Sequence, residues 1–240
     1  MVFGATSGPL LGRPAKRIQA IAFDAFVLFS PKPIVMRARE IGGEKGDALV
    51  AAASARLFSY TWYVTSAGRY AEFDELAADA FKSAADSVGV RLSDPDIERL
   101  VDGYANLDLW PDVPNALQTL RRHGVRLAML SNLSERALAA NLRSTGIAGQ
   151  FEHILSTDRA RQYKPSPGAY DLAVRAFAIP KDEIGFAASA SWDASGATWF
   201  GFPSVWVNRN GLPGEQAHAT PGVVSRGMDG VLQLAGLVTS

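Results

Sequence analysis

Five polar residues of the kinds that enzymes use for nucleophilic and acid–base chemistry lie at the ends of predicted β-strands. In chain order they are Asp24, Ser131, Asn132, Lys164 and Asp193. Such side chains attack electrophiles, move protons or hold charged groups in place. Serine, asparagine and aspartate also cap helices, and a lysine can simply be solvated, so each residue alone has a structural explanation. Their succession at consecutive strand ends favours a shared site.

The segments around these residues alternate between strands and helices from about residue 110 onward. Strands are predicted at 18–24, 125–130, 151–156, 184–188 and 204–207. Helices are predicted at 113–123, 134–144, 167–177 and 193–200. This alternation with short connections predicts an α/β fold, with an open parallel sheet covered by helices on both faces. Ligands of such sheets bind just past the carboxyl ends of the strands.

A block of helical character separates the first strand from the others. We predict an α/β core formed by 17–32 and 108–240, and a helical lid, 33–107, inserted between the two parts. Because the lid leaves and rejoins the carboxyl edge of the sheet, it would cover a site there. Its last helix is predicted to begin with Asp94 as the N-cap and Pro95 in the first helical position. Pro31 and Pro33 argue against a helix directly after the first strand.

Composition excludes several classes of protein. The chain has 240 residues, 24 Lys+Arg against 24 Asp+Glu and no cysteine. Disulfides and thiolate metal sites are therefore excluded, and the neutral balance gives no support for a nucleic-acid partner. No apolar run approaches the ~20 residues of a membrane helix. Residues 1–16 do not resemble a secretory signal and are expected to be a flexible extension, so we expect a cytoplasmic protein.

The ordered set of polar residues resembles the haloacid dehalogenase superfamily, and within it the type II (L-2-haloacid) dehalogenases. The resemblance covers nearly the whole chain after about residue 17. The segments that carry it are FDAF at 23–26, YTW at 60–62, LSN at 130–132, YKP at 163–165, WDASGA at 192–197 and WVNR at 206–209. It implies a Rossmann-like core with an inserted helical-bundle cap domain.

The resemblance also implies a mechanism. Asp24 would attack the halogen-bearing carbon to form an ester, which water then hydrolyses. Lys164 would keep the Asp24 carboxylate ionised, and Asp193 would orient Lys164 and help to activate the water. Ser131 and Asn132 would contact the substrate carboxylate or the halide. Further substrate-binding positions are implied at Phe26, Phe73, Tyr170 and Trp192, although buried aromatic residues are usually core.

The residue two positions after Asp24 distinguishes the resemblance to dehalogenases from a resemblance to phosphatases. Phosphatases of the superfamily carry a second aspartate two residues after the nucleophile, together with Mg²⁺. This chain has Phe26 there, which can neither protonate a leaving alcohol nor bind a metal. We therefore expect cleavage of a carbon–halogen bond in a short halogenated carboxylic acid, without a metal or another cofactor.

Four positions depart from the family pattern. Leu28 replaces a threonine near the nucleophile, Ala188 and Ala190 replace a serine and an asparagine, and Ser54 replaces the lid arginine expected to grip the halide. Loss of one hydroxyl donor to a charged acceptor costs about 1.5–3 kcal/mol. Loss of the arginine is expected to matter more, because it removes the one charge matched to the leaving group. Basic residues near the lid entrance that could replace it are Lys32, Arg37 and Arg39.

Three functions therefore stay open on the sequence. The first is a haloacid dehalogenase or a relative that acts on another small electrophile. The second is a phosphatase of the same superfamily, and the third is a catalytically silent binding or structural protein that retains the fold. The resemblance also leads us to expect a homodimer formed through the lid.

Overall fold

The central element of the fold is a parallel β-sheet. A computed structural model of the protein describes residues 17–215 and 219–238, so the extension predicted for 1–16 lies outside the described residues. The strands are β1 (Ala20–Phe23), β2 (Phe29–Ser30), β3 (Asp108–Leu109), β4 (Arg126–Ser131), β5 (His153–Ser156), β6 (Ile184–Ala188), β7 (Ser204–Val207) and β8 (Val223–Ser225). Six of them form one sheet in the order β5-β4-β1-β6-β7-β8, and each neighbouring pair is parallel. This confirms the predicted fold class.

Strand β1 lies in the interior of this sheet, between β4 and β6. All four of its residues are buried, as expected for a parallel strand covered on both faces. Its last residue, Phe23, is in register with Met129 of β4 and Ala187 of β6. The residues that follow β1, β4 and β6 therefore meet at one edge of the sheet.

Helices cover the sheet and fill the long segment between β2 and β3. They are α1 (Ala25–Leu28), α2 (Lys32–Gly42), α3 (Gly46–Ser66), α4 (Phe73–Val88), α5 (Asp94–Asp102), α6 (Val113–Arg122), α7 (Glu135–Thr145), α8 (Pro167–Phe177), α9 (Ser191–Phe200) and α10 (Asp229–Leu234). None of the helices in 17–215 and 219–238 is long and apolar enough to cross a membrane.

The helices α2 to α5 pack against one another through apolar faces. In α4 the buried residues recur at three- and four-residue spacing, from Phe73 through Leu76, Ala77 and Ala80 to Phe81. The helix begins with a capping box at Glu72 and ends at Gly89, whose positive φ of 67° suits a residue without a Cβ. The segment between β2 and β3 is therefore mostly helical, as expected for the lid. The assignment of residues 33–107 to a separate lid domain stays a prediction.

Two local expectations were wrong. A short helix, α1, does follow β1 directly, and the Asp24 side chain accepts a hydrogen bond from the Phe26 amide at its start. The prolines did not prevent it because α1 ends at Leu28, before Pro31. The N-cap of α5 is Ser93 rather than Asp94. The Ser93 hydroxyl oxygen accepts from the Asp96 amide, and the Asp96 carboxylate accepts from the Ser93 amide, which is a capping box.

Candidate active site

Asp24 lies directly after β1, and its carboxylate accepts hydrogen bonds from three donors. Its backbone amide donates to the carbonyl of Ala187 in β6. One carboxylate oxygen, Oδ1, accepts from Lys164 Nζ at 3.0 Å. The other, Oδ2, accepts from the Phe26 amide at 3.1 Å and from the Ser189 hydroxyl at 2.6 Å. The residue is 7% exposed, so its carboxylate is fixed in orientation and still reachable.

Lys164 is buried between two carboxylates. Its ammonium lies 3.0 Å from Asp24 Oδ1 and 2.6 Å from Asp193 Oδ2, and the residue is 1% exposed. Burial opposes the charge, but the two carboxylates outweigh it and raise the pKa of Lys164. The ammonium therefore stays charged at neutral pH between its two carboxylate partners.

Asp193 occupies the first turn of α9, where a helix N-terminus favours negative charge. Its second oxygen, Oδ1, accepts from the Tyr170 hydroxyl at 2.7 Å. Burial raises the pKa of Asp193 to about 6, and the nearby negative charge of Asp24 adds to this effect, while Lys164 and Tyr170 oppose it. Asp193 is therefore a buried carboxylate that ionises near neutral pH, which suits a general base.

Ser131 ends β4 and Asn132 follows it, at the same edge of the sheet. The amide oxygen of Asn132 accepts from the Lys164 backbone amide at 3.0 Å and from Thr157 Oγ1 at 3.3 Å. The Ser131 hydroxyl oxygen accepts from the Leu133 amide at 3.1 Å. In the described part of the chain, neither the Ser131 hydroxyl hydrogen nor the Asn132 side-chain amino group has an acceptor. Both remain available to a ligand.

A cavity of about 120 Å³ opens beside Asp24 and is lined mostly by apolar and aromatic side chains. Phe26, Phe73, Trp192 and Ser54 line it, as does the predicted set Asp24, Ser131, Asn132, Lys164 and Asp193. The structure therefore brings all but one of the predicted site residues to a single cavity. Their assignment to individual roles remains a prediction.

Tyr170 is the exception and requires a correction, because it does not line the cavity. It is fully buried behind Asp193, and its hydroxyl donates to the carboxylate and to the backbone carbonyl of that residue. Its aromatic ring packs edge-on against Phe186 of β6. The phenol therefore holds the Asp193 carboxylate in its orientation.

Sequence reasoning missed several residues of the cavity. The Ser189 hydroxyl donates to the Asp24 carboxylate, while Phe58 and Tyr104 line the wall. The rings of Phe58 and Trp192 make an edge-to-face contact at 5.1 Å, and those of Phe73 and Tyr104 do the same. The helical spacing of Phe58 from Ser54 was the signal that could have identified it.

The positions that depart from the family pattern occupy different surroundings. Ser54 and Ala190 line the cavity, whereas Leu28 and Ala188 are fully buried in the core. The three basic residues considered as replacements for the lid arginine do not line it. Arg37 donates to the carbonyl of Arg99, Arg39 pairs with Asp47, and Lys32 is exposed.

For the carbon–halogen cleavage that the resemblance implies, we expect Ser189→Ala to lower kcat/KM about ten- to hundredfold. The change removes a hydroxyl donor from a charged acceptor, an interaction of about 1.5–3 kcal/mol. Ser191→Ala is the matched control, because its hydroxyl donates to Glu215, outside the cavity. Equal activity in the two variants would show that Ser189 does not position Asp24.

The fold and this site define a class of hydrolase. A strand in the interior of the parallel sheet is followed directly by an aspartate, which shares a buried lysine with a second aspartate. The family model of the haloacid dehalogenase-like hydrolases matches residues 18–201, and the chain belongs to that family.

Within the family the chain is similar to enzymes that act on halogenated acids. It is 35% identical over 205 residues to the (S)-2-haloacid dehalogenase of Pseudomonas sp. (strain YL), covering 85% of this chain and 88% of that one. It is 34% identical over 220 residues to haloacetate dehalogenase H-2 of Moraxella sp. (strain B), covering 91% and 98%. A crystal structure of an L-2-haloacid dehalogenase matches with a TM-score of 0.89 at 35% identity, covering 92% of this chain and all of that one.

Proposed function

We propose that the protein is a metal-independent hydrolase that removes halide from a small 2-haloacid through an ester on Asp24. The observation that carries this proposal is the carboxylate of Asp24, paired with a buried ammonium at the edge of an apolar cavity. The similarity to named haloacid and haloacetate dehalogenases supports the same reaction.

In the first step an oxygen of Asp24 attacks the carbon that bears the halogen. A carbon–oxygen bond forms, the carbon–halogen bond breaks, and the halide leaves with the bonding electron pair. The charge of the carboxylate moves onto the halide, so no proton is needed. This agrees with Phe26 at the position where an acid would stand in a phosphatase.

In the second step a water molecule attacks the carbonyl carbon of the Asp24 ester. Asp193 accepts one proton of the water, either directly or through a second water, and returns it to the ester oxygen as the bond between that oxygen and the Asp24 carbonyl carbon breaks. The hydroxy acid leaves with the original Asp24 oxygen, and the oxygen of the water stays in the Asp24 carboxyl group. Lys164 stabilises the negative charge that develops on the ester, because its ammonium already lies 3.0 Å from Asp24 Oδ1. Proton release then restores the starting state.

The substrate carboxylate requires donors beside Asp24. The Ser131 hydroxyl and the Asn132 amino group line the cavity and have no acceptor among the described residues. Both are uncharged, so they bind a carboxylate without attracting the Asp24 carboxylate away from Lys164. We assign them to the substrate on this basis.

Halide release tests the proposal directly. Chloroacetate and each enantiomer of 2-chloropropionate are incubated with the protein in the presence of EDTA, and halide is measured. Release that survives the chelator supports the proposal. Absence of release from all three substrates would contradict it, and phosphate release from a generic ester that requires Mg²⁺ would favour a phosphatase.

The turnover rate is expected to rise with pH through about 6. Asp193 has a pKa of about 6, so it is protonated below this value and can neither accept a proton nor hold Lys164 by charge. Above it the carboxylate is ionised and the rate reaches a plateau. The residual turnover rate of Asp193→Asn should not show this fall below about pH 6. A wild-type rate that is constant between about pH 5 and 7 would contradict the role of Asp193.

We further propose that α2 to α5 form the cap over the cavity and that the protein is a homodimer. Support for an interface comes from large exposed aromatic side chains, namely Trp62 and Tyr63 on α3 and Trp199 on α9. Light scattering should give twice the chain mass of 25.6 kDa. A value equal to the single chain would contradict a dimer.

A further inference from the structure

The charged groups that line the cavity are already paired with one another. They are the carboxylates of Asp24 and Asp193 and the ammonium of Lys164. The ammonium lies 3.0 Å from one carboxylate and 2.6 Å from the other. No other lysine or arginine within the described ranges lines the cavity. A leaving anion therefore meets no unpaired positive charge there.

Most of the remaining cavity wall is apolar and aromatic, and its polar residues, among them Ser131 and Asn132, are uncharged. Phe26, Phe58, Phe73 and Trp192 present rings to it. An aromatic ring carries positive potential at its edge, which attracts a large polarisable anion. Burying an anion in apolar surroundings is costly, and the cost is greatest for a small ion whose charge is concentrated.

Ser54 lies on α3 and contributes a small, uncharged side chain to this wall. Val50, Leu57, Phe58 and Thr61 line the cavity with Ser54. Val50 and Phe58 lie four residues before and after Ser54, Leu57 lies three after it and Thr61 four after Leu57, so the five share one face of the helix. Ser54 is half-buried. A longer side chain at this position would enter the cavity from α3.

We propose that the halide leaves into this uncharged aromatic part of the cavity, and that the protein therefore selects bromide and iodide over chloride as leaving groups. Ser54 is then a specificity-determining residue, because its small neutral side chain keeps the wall without charge. The inference rests on the proposed function and adds the class of leaving group to it.

The test compares kcat/KM for bromoacetate and chloroacetate. Bromide is the better leaving group in water also, so the reference is the same rate ratio for acetate ion reacting with both compounds in buffer. The enzyme ratio of bromide to chloride is expected to exceed this reference by at least about tenfold, which is within the range of one electrostatic contact to a developing charge. A ratio equal to the reference would overturn the inference.

Ser54→Arg supplies the missing charge, and Ser54→Met is the matched control of similar length without charge. The arginine variant should lower the bromide-to-chloride ratio about tenfold, through faster release of chloride. The methionine variant should leave the ratio at or above the wild-type value. Equal ratios in the two variants would also overturn the inference. Absence of halide release from both compounds would instead overturn the proposed function.

Discussion

Replacing Asp24 by asparagine is expected to abolish halide release, by at least about a thousandfold in kcat/KM, because an amide is a far weaker nucleophile than a carboxylate. The substitution preserves shape. The Phe26 amide and Ser189 hydroxyl can still donate to an amide oxygen in the place of Oδ2. The amino group then faces Lys164 in the place of Oδ1, but the ammonium retains its partner Asp193 at 2.6 Å. The expected loss is therefore chemical rather than structural.

Two measurements separate a lost nucleophile from a lost fold. The thermal unfolding midpoint of Asp24→Asn should lie within a few degrees of the wild type. Asp171→Asn serves as the control, since Asp171 pairs with Arg175 along α8 and does not line the cavity. Full activity in this control together with none in Asp24→Asn is the expected pattern. Retention of more than about a tenth of wild-type activity by Asp24→Asn would contradict the proposed nucleophile.

Replacing Lys164 by methionine is expected to remove activity and to destabilise the protein by about 3–5 kcal/mol. Methionine approximates the shape of the lysine stem, but it leaves Asp24 and Asp193 buried without their shared cation. Chemical denaturation at neutral pH measures the loss. A loss of less than about 1 kcal/mol would show that water or rearrangement replaces the ammonium.

A double-mutant cycle identifies the origin of that instability. In the wild type, Asp193→Asn should destabilise the protein, because the amide is a poorer partner for Lys164. In the Lys164→Met background the same substitution should stabilise it, since one of two unpaired buried carboxylates is removed. The same sign in both backgrounds would contradict the electrostatic account.

The central geometry of the site could be predicted from sequence because strand topology dictates it. Asp24 and Ser131 lie at the carboxyl ends of the neighbouring strands β1 and β4, and Asp193 follows β6 on the other side of β1. Polar residues that follow adjacent parallel strands must meet at one edge of the sheet. The burial of Lys164 between the two carboxylates agrees with this reasoning.

Other contacts could not be predicted, because they depend on the orientation of single side chains. Ser189, Ala190 and Ser191 are consecutive small residues, and only the path of the loop after β6 decides that Ser189 reaches Asp24. Tyr170 matched an active-site position, yet the packing of α8 directs its hydroxyl at Asp193 from behind. Helix caps were similarly ambiguous where Ser93 and Asp94 are adjacent, because both residue types cap helices.

The most direct test of the account is the fate of the water oxygen in a single turnover. Excess wild-type protein reacts with chloroacetate in heavy-oxygen water, and both the product and the peptide that contains Asp24 are analysed by mass spectrometry. An ester on Asp24 predicts that the heavy oxygen enters the Asp24 carboxylate, while the glycolate hydroxyl carries the ordinary oxygen. Heavy oxygen in the glycolate hydroxyl, with none in the Asp24 peptide, would show direct attack by water and contradict the nucleophilic role of Asp24.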